Sequence, residues 1–509
     1  MRKLLSLFLA LVMILALMPA AMAEPYTIDI YWVGNEDDPE IRAGVEAAIN
    51  EYIGPKIDAR VAIHLIPWGD WEAEVVDVLT DKTKRTETKM DLVFTADWYY
   101  YSDLVEAKAL YPLKDFLDEY GKDILASIDE SYWEGVKVNG VIYGVPTNKE
   151  LCVPQGFIVN KTAAEAIGWD YENTEIRSTA DLKPWLEKYR EMFPDKYPYL
   201  MDMQPAGRWV DEPWINDWSG LTQNALAMKM AANEDGSFDE TVYSIFETPE
   251  EEAYIRLMYE FAQAGYISPD NASWDKTAAE AVFGRGDFLV FTQPLKGSGI
   301  KAVEMYTSCH KEGDDFEVGE IIMQLKYIVT AHTAGSMFAI PAAANPMPEK
   351  AMQYLNLMHS DAALVNLMLF GVEGKNYTKV DDKRVELTES DWYSKHAGAW
   401  TVGDVRLQYV LSNEDPEKND KLIIYANDAT ETCCLGFRFN KKLKALRETV
   451  SAVEEVLGQY ADGLVTGSVD PDDPEKGIEA FKTALKEAGI DTLREAAQQQ
   501  YEAWKAGQW

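Results

Sequence analysis

The stretch Ala96-Asp97-Trp98-Tyr99-Tyr100-Tyr101 sets four consecutive aromatic rings beside a carboxylate. Rings with an apolar body and a polar tip can stack on the C–H face of a polyhydroxylated ring, while carboxylates and amides accept or donate at its hydroxyl rim. Asp97, Trp98 and Tyr101 are therefore the first candidate binding residues, with two of the four rings expected to pack under the loop. Asn35, Glu36 and Trp68 occupy similar positions earlier in the chain and offer hydrogen bonds and one more stacking face. Asn35 also suits a plain turn. Asn148 and Glu150 follow Val145-Pro146-Thr147, and Glu373 sits within Gly371-Val372-Glu373-Gly374. Trp209 is a candidate for an opposite wall. The four-residue spacing of Trp214 and Trp218 favours core packing, and Trp274 and Trp400 are weaker candidates. With 15 Trp and 27 Tyr in the chain, most rings are expected in the core and only some in a site.

Other chemistry is poorly supported. The five histidines, His64, His310, His332, His359 and His396, are scattered and form no His-Glu-x-x-His pattern. Cys152, Cys309, Cys433 and Cys434 fit neither a zinc spacing nor a disulfide framework. Asp470, Asp472 and Asp473 lie in an acidic turn that lacks the spacing of a calcium loop and reads as a plain loop. No Gly-x-Ser-x-Gly elbow is present. Carboxylate pairs suitable for glycoside hydrolysis are guaranteed by chance among 86 Asp and Glu, so they carry no weight. No catalytic residue, metal site or cofactor is expected. The formal net charge of −38 disfavours nucleic acid and anionic lipid as partners.

Elements that would position these residues follow from periodicity. Tyr26–Val33 alternates as a strand, 39–53 repeats as a helix, 61–66 is a strand, 71–80 a helix and 90–95 a short buried strand. This order predicts a parallel α/β sheet, in which ligands gather at the carboxyl ends of the strands. Asn139-Gly140 predicts a tight hairpin turn. Val145–Glu150 reads as a crossover, and from there to about residue 265 the pattern reads as mainly helical, broken by an aromatic-rich stretch at 207–218. A helix over 278–286, strands at 288–293 and 336–340, a helix over 349–358 and a return strand at 431–439 follow. Amphipathic helices are expected over 441–457, 477–488 and 492–505.

Arg2 and Lys3, the apolar run 4–17 and Ala21-Met22-Ala23 have the form of a cleavable secretory signal, so residues 1–23 are expected to be removed and the remainder exported. The length of the remainder suggests two lobes or three.

Four stretches resemble the extracellular solute-binding proteins of ABC importers. The resemblance is to the LipO- and YtcQ-like branch that carries a C-terminal domain of the DUF3502 type. The stretches are Met90–Trp98; Trp133–Pro146 with Thr147-Asn148-Lys149-Glu150; Pro348–Leu357 with Phe370–Tyr377; and Leu485–Asp491 with Gln498–Tyr501. The resemblance implies an α/β fold of the type II periplasmic-binding-protein class, two lobes hinged around a cleft. By analogy residues 24–147 plus 334–372 form one lobe, and 148–333 plus 373–509 the other. It implies a carbohydrate ligand, an oligosaccharide by preference, passed by a monomer to permease subunits without chemistry. The usual lipobox cysteine is missing, because the first cysteine is Cys152, so lipid anchoring is not expected. A secreted glycoside hydrolase and the ligand-binding partner of a surface sensor are the alternatives.

Overall fold

The computed structural model describes residues 25–508 apart from 36–37, 202–210, 212–213, 216–217, 222–224, 230–235, 275, 311–312 and 314. The expected signal, Glu36 and Trp209 lie outside the described residues.

The chain begins as the periodicity predicts. Strand β1 (Tyr26–Gly34) is followed by helix α1 (Pro39–Ile57) and strand β2 (Ala59–Pro67), which pairs with β1 in parallel from Tyr26↔Ala59 to Gly34↔Pro67. Asp38 starts the helix: its carboxylate accepts the amides of Glu40 and Ile41 while Pro39 supplies a first-turn φ. Strand β3 (Leu92–Thr95) joins β1 in parallel. The predicted helix at 71–80 is a π-helical turn over Glu72–Val76 followed by one α-turn, Asp77–Thr80. Asn139 and Gly140 both have positive φ, 50° and 76°, as a two-residue hairpin between right-twisted strands requires. Strand β4 (Gly144–Pro146) closes this part of the chain.

A second sheet then begins. Strands β5 (Gln155–Asn160), β6 (Tyr199–Leu200), β7 (Val290–Pro294) and β8 (Val318–Ile322) stand in the order β8-β5-β7-β6. Strand β5 corrects the mainly helical reading of this region. It is a short apolar run of the fully buried kind, in which period two is invisible. Helix α2 (Ile300–Cys309) packs beside β8. The chain returns through strand β9 (Met337–Ala339), which completes the first sheet in the order β2-β1-β3-β9-β4, antiparallel to both its neighbours. Helices α3 (Pro348–Met358) and α4 (Ala362–Phe370) pack with α1 on that sheet.

Two large hydrophobic cores result. The first joins Ile30, Trp32, Leu92, Phe94, Met337 and Leu355. The second joins Phe157, Val159, Tyr199, Leu226 and Val290, with a smaller cluster around Phe283, Phe288 and Phe291. Tyr377, Val385, Trp392 and Val402 are buried in the first core, so the stretch from 373 to about 411 packs there and not with the second lobe as expected. A small hairpin, Tyr377–Lys379 with Arg384–Leu387, carries Tyr377 and Val385 into it. Helix α5 (Lys418–Tyr425) follows. The expected return strand at 431–439 shrinks to Thr430–Glu431, because the chain turns directly after it, the Leu435 amide donating to the Thr432 carbonyl at 3.2 Å, and turns again at Gly436, whose φ is 91°. A side chain there would press on the Glu134 carbonyl at 2.6 Å. Helices α6 (Arg447–Val465), α7 (Ile478–Ala488) and α8 (Ile490–Lys505) bury Val453, Leu457, Leu485 and Leu493 in the second core.

Candidate functional site

The loops after β2 and β3 meet. Trp68, one residue past β2, lies 5.9 Å from Trp98 with ring planes 29° apart. Trp400 lies 6.3 Å from Trp68, at 10°, nearly parallel, and 6.2 Å from Trp98, so the three indoles close a triangle. Tyr99 stands edge-on to Trp68 at 5.1 Å, and its hydroxyl donates to the Trp68 carbonyl at 2.8 Å. Phe94, wholly buried, props both Trp68 and Trp400 edge-on from below. The result is a shelf of indoles on a rigid sheet end. Trp98 is its most open member, 52% exposed, yet it is held in place by its indole N–H, which donates to the Gly335 carbonyl at 2.9 Å. An exposed indole that is oriented by a hydrogen bond loses little rotamer entropy when a ligand covers it.

Trp400 comes from far along the sequence, and the structure explains its arrival. The backbone amide of Asn35 donates to the Lys395 carbonyl at 2.8 Å, and its side-chain amide donates to the carbonyls of Ser394 and His396. Trp32 donates from its indole to the Thr401 hydroxyl at 3.0 Å and stacks on His396 at 4.1 Å. Gly403, at φ 53°, lets the loop pass the Met358 carbonyl, which any Cβ would meet at 2.0 Å. Asn35 thus acts as the latch that brings the 394–401 loop to the end of β1. The sequence signal for Trp400 was its type alone.

The other candidates separate. Asp97 is nearly buried and forms an ion pair with Arg438, whose guanidinium also donates to the carbonyls of Gly135, Lys137 and Gly436. Arg438 therefore ties the 430–446 segment to the loop after β3; sequence reasoning missed it, having read 431–439 as a strand. Tyr101 has no exposed surface, and its hydroxyl donates to the Val136 carbonyl at 2.6 Å, so it is a core support of the loop and not a contact surface. Asn148 is buried, donating to the Ser127 carbonyl and to Asp404, both at 2.9 Å. Glu150 is buried between Lys149 at 3.1 Å and Lys296 at 3.7 Å; the two ammonium groups overcome burial and hold its carboxyl down at about 2. Both residues are occupied by the protein itself. Glu373 is half-exposed and pairs with Lys379 at 3.5 Å, apart from the indole shelf. Trp214 and Trp218 are buried in the second core, as their spacing favours, and Trp274 packs on the smaller cluster.

Among the described residues no group of three His, Cys, Asp or Glu side chains is disposed to hold a metal. In the acidic turn, Asp470 and Asp473 accept backbone amides and Asp472 pairs with Arg256 at 2.9 Å. The four cysteines are free thiols. No helix among the described residues is long and apolar enough to cross a membrane.

Two α/β units, each on its own sheet and joined by chain crossings after β4, before β9 and beyond residue 411, define the fold of the type II periplasmic solute-binding proteins. Residues 433–506 match the family described as "Domain of unknown function (DUF3502)". The chain is 26% identical over 482 residues to a carbohydrate ABC transporter substrate-binding protein of Streptococcus pneumoniae serotype 4 (strain ATCC BAA-334 / TIGR4), covering 93% of this chain and 90% of that one. The crystal structure of the N-glycan transport solute binding protein NgtS from Streptococcus pneumoniae superposes with a TM-score of 0.77 at 23% identity, over 94% of this chain and 98% of that one. The same protein in complex with Man5GlcNAc gives 0.65 at 24% identity, with the same coverage. The resemblance carried by the four sequence stretches thus extends over nearly the whole chain, including the C-terminal domain it implied.

Proposed function

We propose that this protein is the exported, monomeric solute-binding subunit of an ABC importer. It takes an oligosaccharide between its two lobes and passes it, chemically unaltered, to the membrane permease. The observation that carries this reading is the shelf of Trp68, Trp98, Tyr99 and Trp400 at the carboxyl ends of the first sheet, with one indole half open to solvent. The similarity to a carbohydrate substrate-binding protein and to NgtS supports it and suggests mannose- and N-acetylglucosamine-containing glycans as first ligands to try. In this reading one lobe holds residues up to 147 with 334 to about 411, and the other holds 148–333 with the C-terminal helices. Hinge closure buries the ligand, and the closed state is what the permease recognises.

The test is calorimetry and thermal shift against a panel of manno- and N-acetylglucosaminyl oligosaccharides including Man5GlcNAc, with product analysis by mass spectrometry. Saturable binding with ligand-dependent stabilisation and an intact glycan is expected. Cleaved glycan would overturn the transport reading in favour of a hydrolase. A Kd left within twofold of the parent by both Trp98→Ala and Trp400→Ala would remove the shelf from the site.

A further inference from the structure

A string of six side chains with alternating charge runs through the junction of the two units. Lys149 pairs with Glu150 at 3.1 Å, Glu150 with Lys296 at 3.7 Å, Lys296 with Glu304 at 3.0 Å, Glu304 with Lys418 at 2.9 Å, and Lys418 with Glu414 at 2.6 Å. All six side chains are less than a quarter exposed. Three positive and three negative groups cancel, which is the condition under which charges tolerate burial.

The two ends of the string are tied to the first unit by hydrogen bonds, while Lys296 and Glu304 lie on the second. Lys149 is anchored through its backbone to the Tyr132 hydroxyl, whose ring is in the first core. Asn148, its neighbour, is bonded to Ser127, Gly403 and Asp404. At the other end, the Glu414 carboxylate accepts the amide of Leu411, next to the strand pair that carries Val385 into the first core. Lys296 and Glu304 flank Leu295 and Ala302 of the second sheet's smaller cluster. The chain therefore passes from one unit to the other at 149–150 and again beside 411–418, and at both places the passage is spanned by a buried ion pair. Glu304 is the only carboxylate in the string that grips Lys296 and the α5 lysine Lys418 at once.

We infer that Glu304 is a positioning residue for ligand binding: it sets the angle between the two units by bridging both junctions, without touching the ligand. The inference rests on the proposed closure of two lobes. Ionic contacts in low dielectric are strong, directional and little screened by salt, so a bridge at the pivot weights one inter-unit angle over its neighbours. An apparent affinity that includes the cost of reaching the closed angle must change when that weighting is removed.

The test is Glu304→Gln in the full chain. The substitution keeps the volume and leaves each lysine one carboxylate, Glu150 for Lys296 and Glu414 for Lys418, so folding is expected to survive. Glu252→Gln is the control, because Glu252 pairs with Lys482 and Arg256 within the second unit alone. Two readouts are taken: small-angle scattering of the ligand-free protein, and glycan Kd. Glu304→Gln should alter the ligand-free scattering profile and shift Kd by about fivefold or more, while Glu252→Gln alters neither and Glu304→Asp restores part of the effect. Unchanged scattering, or changed scattering with unchanged Kd, overturns the inference. If Glu304→Gln does not fold, Glu304→Met with Lys418→Met replaces the pair by apolar volume and is judged by the same criteria. The scattering needs no ligand, so a chain that binds no glycan defeats the functional reading while the angle is still decided by the scattering alone.

Discussion

Replacing Trp98 by Ala tests the indole shelf directly. Trp98 is 52% exposed, so roughly half of a side chain of about 200 Å² is available to a ligand. A pyranose face that covers about 60–80 Å² of it contributes about 1.5–2 kcal/mol at 25 cal/mol per Å². Losing that term weakens binding about 10- to 30-fold. The cost to the fold is smaller. The substitution removes the hydrogen bond to the Gly335 carbonyl, worth about 1 kcal/mol net, and partial ring contacts with Trp68, Tyr99 and Trp400. Tm should fall by only about 1–2 °C in a chain of this size. Calorimetric titration with the best glycan of the panel, beside a thermal melt, separates the two effects. A Kd within twofold of the parent, in a variant whose melt shows it folded, refutes the reasoning.

Trp400→Ala should lose affinity to a similar degree, because its ring lies nearly parallel to Trp68; titration with the same glycan checks it, and an unchanged Kd would confine the site to the 97–99 loop. Tyr101→Phe should cost about 1 kcal/mol in a urea melt through the lost bond to Val136 and leave glycan affinity unaltered, and a loss of affinity would return Tyr101 to the site. Asp97→Asn deprives a buried guanidinium of its carboxylate; a destabilisation of about 3 kcal/mol is expected in denaturant melts, and a change below 1 kcal/mol would show that the three carbonyls suffice to hold Arg438. Burial pushes His359 down to about 4 and His396 to about 3. The unfolded chain therefore binds protons below pH 6.5 that the folded chain refuses, and stability should fall as pH drops from 6.5 towards 4. Denaturant melts across that range should show the fall, and His396→Gln should flatten it; an unaltered slope in that variant would assign the loss elsewhere.

The first sheet was legible because its strands and helices alternate with clean periods: β1, α1 and β2 lie within a few residues of their expected places. The loop holding Trp98 was legible for the same reason, since a strand end in a parallel sheet is a physical location before any ligand is known. Trp400 was not, because its place depends on Asn35 and Trp32 capturing a loop more than 350 residues away, and nothing local marks such a capture. Tyr101, Asn148 and Glu150 show the converse. Their types suit binding, but a residue next to a site is as often spent on holding the site up, and only burial and partners distinguish the two. Strand β5 was lost to the helical reading because five consecutive buried residues without alternation carry no period. The placement of 373–411 was lost because a lobe boundary is set by which core the apolar side chains of a hairpin enter.

The three C-terminal helices deserve to be seen for where their apolar faces go. Val453, Leu457, Leu485, Leu493 and Tyr501 share one interior with Phe157, Val159, Tyr199 and Val290 from the middle of the chain. The region that recurs among proteins as a named segment is thus not a detachable module. Excised, residues 433–506 would carry a bare greasy stripe, and a chain stopped before them would leave the matching half open. Gene fusions or truncations that cut at that boundary should yield insoluble halves that regain solubility only when both are made together.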